Sequence, residues 1–437
     1  MSGDRTTDPS LGSWVPVPPA SDFPIQNLPF GAFRAEDGAT HLCVAIGDHA
    51  LDLFALAHAG LLDGVAGANR EVFAAAALGP LLRAGRPAWR ATRERLSQLL
   101  TAGDEASTRA AARGALVERN SIDLVLSVDV PDYVDFFSSL EHATNLGKIL
   151  RPGGEALLPN WRYVPIGYHG RTSTIVLDGS PVTRPRGQLK SGDSPPVYAP
   201  TASLDFELEM GFITGAGPEP PAGIAADAAR EHIFGLVLLN DWSARDIQAW
   251  EYQPLGPFLA KSFATSLSPW IVTLDALEPF RVAGPSQEPA ALPHLRTSVD
   301  ESFDIALDVT LESEAMRRSG IPPQTLARTN LRAMYWSMAQ QLAHASSNGA
   351  RVRAGDLFGS GTISGSGPGS YGSMIELTWR GAKPFALADG TTRAFLNDGD
   401  EIAMHGRCEA PGRSGIGFGA VRGRILPAMS RGVEPSR

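Results

Sequence analysis

The chain has 437 residues, 43% hydrophobic and 19% charged, with a formal net charge of -9 and no run of lysines and arginines. That length accommodates two or three domains and a large core, and the acidic balance argues against a nucleic acid, a membrane surface or a polyanion as partner, leaving small molecules. Only Cys43 and Cys408 are present, far apart, so neither a disulfide framework nor a zinc knuckle is indicated and both read as buried apolar fillers.

In chain order, residues 1 to about 25 are polar and proline-rich and read as an extended arm. They lack the apolar core of a signal peptide, and no later stretch is apolar for long enough to span a bilayer, so a cytoplasmic location is expected. "PFGAFRAEDGATHLCVAIGDHALDL" has the short alternating runs and Gly-Asp turns of a small β unit. A segment rich in Ala, Leu and Arg from about 52 to 118 reads as helical. From about 120 onward come short β-type runs between turn clusters: "STIVLDGSPVTRP", "IFGLVLLND", "PWIVTLDAL", "FDIALDVTLES", "GSMIELTW" and "DEIAMHG". They predict an all-β roll or barrel-like domain. One helix interrupts it, over 329–349, closed by Asn348-Gly349.

Four stretches carry candidate chemistry. In 131–154, Ser138 and Glu141 have capping-box spacing before Ala143, Leu146 and Leu150, so a helix should start there. His142 falls in its first turn, where the dipole disfavours a charged imidazole and leaves a neutral proton acceptor; a single helix histidine is more often structural, and Asp132 and Asp135 also suit a turn. "SLDFELEM", 203–210, alternates as a strand: Leu204, Phe206, Leu208 and Met210 share one face, Asp205, Glu207 and Glu209 the other, with Glu207 and Glu209 about 7 Å apart. Charged residues are usually exposed, so a solvated face is the plain reading of this motif by itself, and a metal requires further carboxylates to converge on it.

In 240–258, Asp241 can cap a helix that Pro254 must end, and Asp241, Arg245, Gln248 and Tyr252 share one face of it. An exposed polar face is the alternative; Trp242, Trp250 and "PLGPFLAKSF" argue for burial on several sides. Lys261 is the only charge in its apolar run and is expected to be paired or functional. The Gly/Ser-rich 358–377 matches neither the phosphate-loop nor the dinucleotide pattern, has no helix signature after it, and reads as a tight loop bringing backbone close to a ligand.

Together "DYVDFFSSLEHATNLG", "LLPNWRYVPIGYHGR", "LDFELEM", "HIFGLVLLNDWSARDIQAWEYQPLGPFLAKSF", "GDLFGSGTISGS" and "FLNDGDEIAMHG" resemble the fumarylacetoacetate hydrolase family, over essentially the whole chain. The resemblance implies a mainly β fold with some helix: a small SH3-like N-terminal barrel with a helical linker (1–124) and a larger C-terminal β-roll (125–437), assembled as a homodimer. It implies a metal site at Asp135, Glu207, Glu209 and Asp241, whose all-oxygen ligation suits Ca²⁺, Mg²⁺ or Mn²⁺, and a second, more structural cation near Asp241, Lys261 and Thr265.

The implied reaction is hydrolysis of the carbon–carbon bond of a β-diketo acid, fumarylacetoacetate, to fumarate and acetoacetate, the last step of tyrosine and phenylalanine breakdown. His142 would be the general base, Glu376 would orient it, and Arg245, Gln248 and Lys261 would donate to the oxyanion. Substrate contacts would come from Arg151, Tyr168, Gln248, Tyr252 and Thr362, and from Phe137, which stands where the family pattern has a tyrosine. Leu140 likewise replaces a polar residue. An acylpyruvate hydrolase or oxaloacetate-type decarboxylase would share the acidic cage, but the N-terminal domain and the His142 and Glu376 pair favour the first reading. A noncatalytic Ca²⁺-binding dimer would need the cage but neither Lys261 nor His142.

Overall fold

A computed structural model of the chain describes residues 4–103, 106–298 and 301–430. The alternating runs after Pro29 pair as an antiparallel five-stranded sheet, in the order Leu116–Glu118, His49–Asp52, Thr40–Ile46, Phe30–Arg34, Asp123–Val125. Between its third and fourth strands in sequence lie the helices Leu53–His58, Arg70–Phe73, Gly79–Leu100 and Ala106–Gly114. Asp52 caps the first by accepting from Phe54 N and Ala55 N. Gly85, at φ 80°, interrupts the longest, and Pro87 follows at the restart, where a missing N–H removes no helical hydrogen bond.

Of the arm expected over residues 1 to about 25, residues 1–3 lie outside the described residues, and the rest is not extended. Thr6, Val15, Phe23 and Ile25 are buried, and the buried Arg93 donates to Thr6 Oγ1 and to the carbonyls of Gln26 and Asn27. Burial of the guanidinium requires those acceptors, so the segment is fastened to the helix despite its polar composition.

The larger part is built on an eight-stranded sheet: Gly167–His169, Tyr133–Phe136, Leu357–Gly359, Leu208–Thr214, Ile233–Asp241, Thr265–Leu267 and Ile175–Leu177 in spatial order, with Val272–Thr273 also paired to Ile233–Asp241. Its two central strands are buried at every position. One face, with Leu208, Met210, Phe212, Leu236 and Leu238, belongs to a core shared with a second five-stranded sheet through Leu307, Val309, Ile402, Met404, Phe418 and Val421. The other face, with Ile213, Val237, Leu239 and Leu357, packs with Leu81, Leu82, Trp89 and Phe30 of the N-terminal unit. Phe30 and Ile271 exchange backbone hydrogen bonds across this contact. The fold is thus mainly β, with a small N-terminal unit and a larger C-terminal one. Among the described residues no helix is long and apolar enough to cross a membrane; Cys43 and Cys408 are buried and unpaired.

Three helix expectations need correction. The helix expected over 329–349 begins only at Met338, capped by Ser337 and Gln340, and runs to Ser346; Gln324–Asn330 before it is a strand. "GSMIELTW" is not a strand but contains the short helix Met374–Leu377, so a helix does follow the Gly-rich loop. The helix placed after a cap at Asp241 is Arg245–Glu251, with Ala244 at its start, because Asp241 is the last residue of a fully buried strand. That segment is also less enclosed than expected: Trp242 is buried, but Trp250 is 44% and Leu255 96% exposed.

The helix Leu140–Leu150 forms as expected, with one shift: Ser139, not Ser138, accepts from His142 N, and Ser138 Oγ accepts from Gln341. Gly147 in this helix lies so close to the chain at Ala156 that a Cβ would stand 1.7 Å from the Ala156 carbonyl oxygen, the same oxygen that accepts from Arg151 Nη2. Gly147→Ala must therefore displace that loop; we expect a loss of roughly 1–3 kcal/mol of stability, read as an earlier midpoint in denaturant unfolding, whereas an unchanged midpoint would refute the close contact.

Candidate active site

The acidic residues meet at one end of the eight-stranded sheet. Asp135 ends near Gly359, its register partner on the neighbouring strand; Glu209 comes from Leu208–Thr214 on the other side of that strand, and Asp241 closes Ile233–Asp241 opposite Thr265. A Cβ on Gly359 would lie 2.7 Å from Asp135 Oδ1 and 3.0 Å from Glu209 Oε2, so the glycine leaves the room in which the two carboxylates face each other. The strand expected over 203–210 breaks at Glu207, which makes only an isolated bridge to Ser373. One oxygen from each of Asp135, Glu207, Glu209 and Asp241 lies within 4.8 Å of the others, and all four residues are buried. The solvated-face alternative is excluded.

Asp205, the third acid of that stretch, turns elsewhere. Its carboxylate accepts from Met374 N at 2.6 Å, Ile375 N at 3.0 Å and Arg245 Nε at 2.7 Å, capping the short helix that carries Glu376. Arg245 Nη2 stands 2.6 Å from Glu207 Oε1, and Lys261 Nζ bonds Glu207 Oε2 at 2.5 Å and Asp241 Oδ2 at 2.7 Å. The five buried carboxylates of Asp135, Asp205, Glu207, Glu209 and Asp241 thus face two cationic side chains. Burial, reinforced by the neighbouring acids, pushes Asp135 and Glu209 well above the ordinary carboxyl range. Burial likewise raises Asp241 despite Lys261. Burial opposes ionisation of Glu207 too, but Lys261 and Arg245 outweigh it and hold that carboxyl low.

Asp135 Oδ1 and Glu209 Oε1 are buried without a hydrogen-bond partner, while Glu209 Oε2 accepts from Gly361 N at 3.0 Å. Unpaired buried carboxylate oxygens are costly, and these converge with two further carboxylates as an all-oxygen donor set. The residues fit a hard divalent cation. A second space of about 110 Å³ borders Asp241, Lys261 and Thr265, with Tyr133 and Tyr168 in its wall, where the expected second cation would lie.

The cage opens onto a cavity of about 360 Å³ whose wall includes Asp135, Phe137, His142, Arg151, Tyr168, Glu207, Gln248, Tyr252, Lys261 and Thr362, with Leu146, Leu150, Leu157, Trp161 and Ile166 supplying an apolar flank. His142 shares a hydrogen bond at Nδ1 with Glu376 Oε2, 2.6 Å away, and its Nε2 lies 4.0 Å from Glu207 Oε1. The Phe137 ring meets the imidazole edge to face, with centroids 5.4 Å apart. Burial opposes ionisation of Glu376, yet His142, Asn145 and Ser373 together hold its carboxyl below the ordinary range. Tyr168 Oη donates to Asp241 Oδ2 at 3.0 Å. Thr362 Oγ1 and Arg151 Nε are buried without partners, beside the cavity.

Asp241 does not share a helix face with Arg245, Gln248 and Tyr252: it ends a strand and stands with the other carboxylates, where the resemblance implies it. Arg245 is not on the cavity wall; its Nη1 donates to Gln248 Oε1 at 3.0 Å, which holds the amide by its oxygen and leaves its nitrogen to donate elsewhere. The Gly-rich loop, expected to approach a ligand, brings its backbone to Glu209: Gly361 N donates to Glu209 Oε2, Gly361 has φ 78°, and a Cβ there would stand 2.1 Å from Phe136 O. Asn145, Ser364 and Ser373 were not singled out in the sequence, and Asp205 had no role there beyond its place on the acidic face. Asn145 stands three residues after His142, on the same helix face, and that spacing was the available signal.

The profile described as fumarylacetoacetate (FAA) hydrolase C-terminal matches residues 133–426, and that described as fumarylacetoacetase N-terminal matches 26–127. Fumarylacetoacetase of Rattus norvegicus is 47% identical over 426 residues, covering 96% of this chain and 99% of its own. That of Homo sapiens is 46% identical over 425 residues, covering 95% and 99%, and that of Arabidopsis thaliana 45% over 422, covering 96% and 99%. Among solved structures, a fumarylacetoacetate hydrolase from psychrophilic Exiguobacterium antarcticum shares the fold, with a TM-score of 0.51 at 16% identity over 92% of this chain and 99% of that one.

Because burial and neighbouring acids disfavour ionisation of Asp135 and Glu209, a cation binding there competes with protons. Divalent-cation affinity should rise with pH, and calorimetric titration in buffers of different ionisation enthalpy should report proton release. Binding with no proton release would contradict the placement of these two acids in the site.

Proposed function

The chain belongs to the fumarylacetoacetate hydrolase family, and from that premise we propose that it hydrolyses 4-fumarylacetoacetate to fumarate and acetoacetate, the last step of tyrosine and phenylalanine breakdown. The observation that carries the reading at the level of residues is that His142, bonded behind to Glu376, stands on the wall of the same cavity as Asp135 and Glu207 of the four-carboxylate cage.

Glu376, ionised, accepts a hydrogen bond from the Nδ1–H of His142, which selects the tautomer whose Nε2 is unprotonated toward the cavity. Nε2 takes a proton from a water as its oxygen attacks the fumaroyl carbonyl carbon. The carbon–carbon bond then breaks, its electron pair leaves with the acetoacetate enolate, and that carbon takes up a proton: water has been added across the bond. Lys261 and the Gln248 amide, both on the cavity wall, are the donors for the developing oxyanion, and Arg245 serves by holding Gln248 and Glu207. Arg151 suits a substrate carboxylate, Tyr168, Tyr252 and Thr362 offer hydroxyls, and the leucine flank accommodates the carbon chain. Phe137 keeps a ring against His142 and offers no hydroxyl.

The chemistry a divalent cation supplies in the cage of Asp135, Glu207, Glu209 and Asp241 is Lewis-acid polarisation of the diketone oxygens and neutralisation of the enolate charge. Ca²⁺ or Mg²⁺ is the ion we propose, on the strength of the all-carboxylate donor set. A second cation by Lys261 and Thr265, a cytoplasmic location and a homodimer complete the proposal, on the resemblance.

Mixing the purified protein with fumarylacetoacetate should remove the diketone ultraviolet absorbance and yield fumarate, and a chelator should stop the loss until Ca²⁺ or Mg²⁺ is restored. His142→Ala should lower kcat by at least about 10²-fold with metal content unchanged. Absorbance loss that survives the chelator would overturn the metal-dependent reading, and a fully active His142→Ala would remove His142 as base.

A further inference from the structure

Glu376 is held by more than the histidine it serves. Its Oε2 is shared by His142 Nδ1 at 2.6 Å, Ser364 Oγ at 2.9 Å and Ser373 Oγ at 2.7 Å. Its Oε1 accepts from Asn145 Nδ2 at 2.9 Å, and among the described residues no other hydrogen bond reaches that oxygen. The terminal torsion of a glutamate is broad and soft, so fixing one oxygen leaves the carboxylate plane free to swing about it. Asn145 is the contact that fixes the second oxygen and with it the plane.

The placement is specific. Asn145 lies three residues after His142 in the helix Leu140–Leu150, so the imidazole and the amide leave the same helix face and end on the two oxygens of one carboxylate. Asn145 is 6% exposed and is absent from the cavity wall, so it does not meet the substrate. The residue type matters as well. An aspartate would set an acceptor against Oε1, and a serine would not span the distance. An amide offers a neutral donor, which satisfies an ionised carboxylate without setting a positive charge beside the imidazolium that forms when His142 takes its proton.

We propose that Asn145 is a positioning residue for the reaction: it locks the Glu376 carboxylate plane so that Oε2 stays on the Nδ1–H of His142 and Nε2 stays unprotonated and aimed into the cavity. The inference rests on the reading of His142 and Glu376 as the base and its orienting partner.

A double-mutant cycle separates this from a merely structural role, because a residue that acts through Glu376 has nothing left to do once Glu376 is altered. Asn145→Ala and Asn145→Asp should each lower kcat about 10- to 100-fold with KM within about twofold. In a Glu376→Gln background the same substitutions should cost less than about twofold further. Asn145→Asp conserves volume, and it carries the cycle if truncation to alanine loosens the helix. Wild-type turnover in both single variants, or losses that multiply with that of Glu376→Gln, would overturn the role assigned to Asn145. A Glu376→Gln enzyme with undiminished kcat would overturn the dyad itself and this inference with it, whereas a disabled Glu376→Gln with multiplying Asn145 losses sinks only the inference.

Discussion

Too much negative charge is buried at one end of the central sheet for its protein partners to neutralise. Asp135, Asp205, Glu207, Glu209 and Asp241 are all buried, against Lys261 and Arg245. Isolated buried carboxylates are expensive and respond by taking up protons or gathering cations. Here the two answers are divided: Glu207, in contact with both cationic side chains, stays ionised, while Asp135 and Glu209, remote from direct pairing, are pushed toward the protonated form. A divalent cation held between them would replace protons with a charge that the four carboxylates could share.

The rest of the architecture can be understood as holding that charge in place. A sheet covered on both faces by apolar side chains, one core reaching the second sheet and the other the N-terminal unit, fixes the strand ends from which Asp135, Glu209 and Asp241 project. Gly359 keeps space between two of them and Gly361 brings a backbone N–H to Glu209. Asp205 ties the cage to His142: through Arg245 it reaches Glu207, and through the N–H groups of Met374 and Ile375 it anchors the helix turn that presents Glu376 to His142. The cage and His142 are therefore set in one hydrogen-bonded frame, as the proposed reaction at a fixed carbon between them requires.

Much of this was legible in the sequence, for reasons that also explain the failures. Alternation in 203–210 correctly marked a strand region, and burial of both faces could not be read from alternation, because a polar face lined by an ion cluster looks like a wet one. The i, i+4 spacing of Asp241 and Arg245 suggested one helix face, yet the apolar run Ile233–Leu239 before it already had the length and β-branching of a strand that ends only at Asp241. Two adjacent serines made the cap of the His142 helix ambiguous by one residue. Contacts across long separations were outside the reach of local pattern: Asn145 and Glu376 are 231 residues apart, and Asp205 and Met374 169. His142 and Glu376 were paired through family resemblance; the three-residue spacing from His142 marked Asn145 as its face neighbour without showing that it reaches Glu376, and nothing local to Asp205 announced its bond to Arg245.

The most direct test of the central claim is anomalous diffraction from crystals of the protein soaked in Mn²⁺, a scatterer that takes the same oxygen ligands. A strong peak about 2.0–2.6 Å from carboxylate oxygens of Asp135, Glu207, Glu209 and Asp241, with Lys261 still bonded to Glu207, is the predicted result. An empty cage at saturating cation, its acids neutralised by protons and by Lys261 and Arg245 alone, would contradict it.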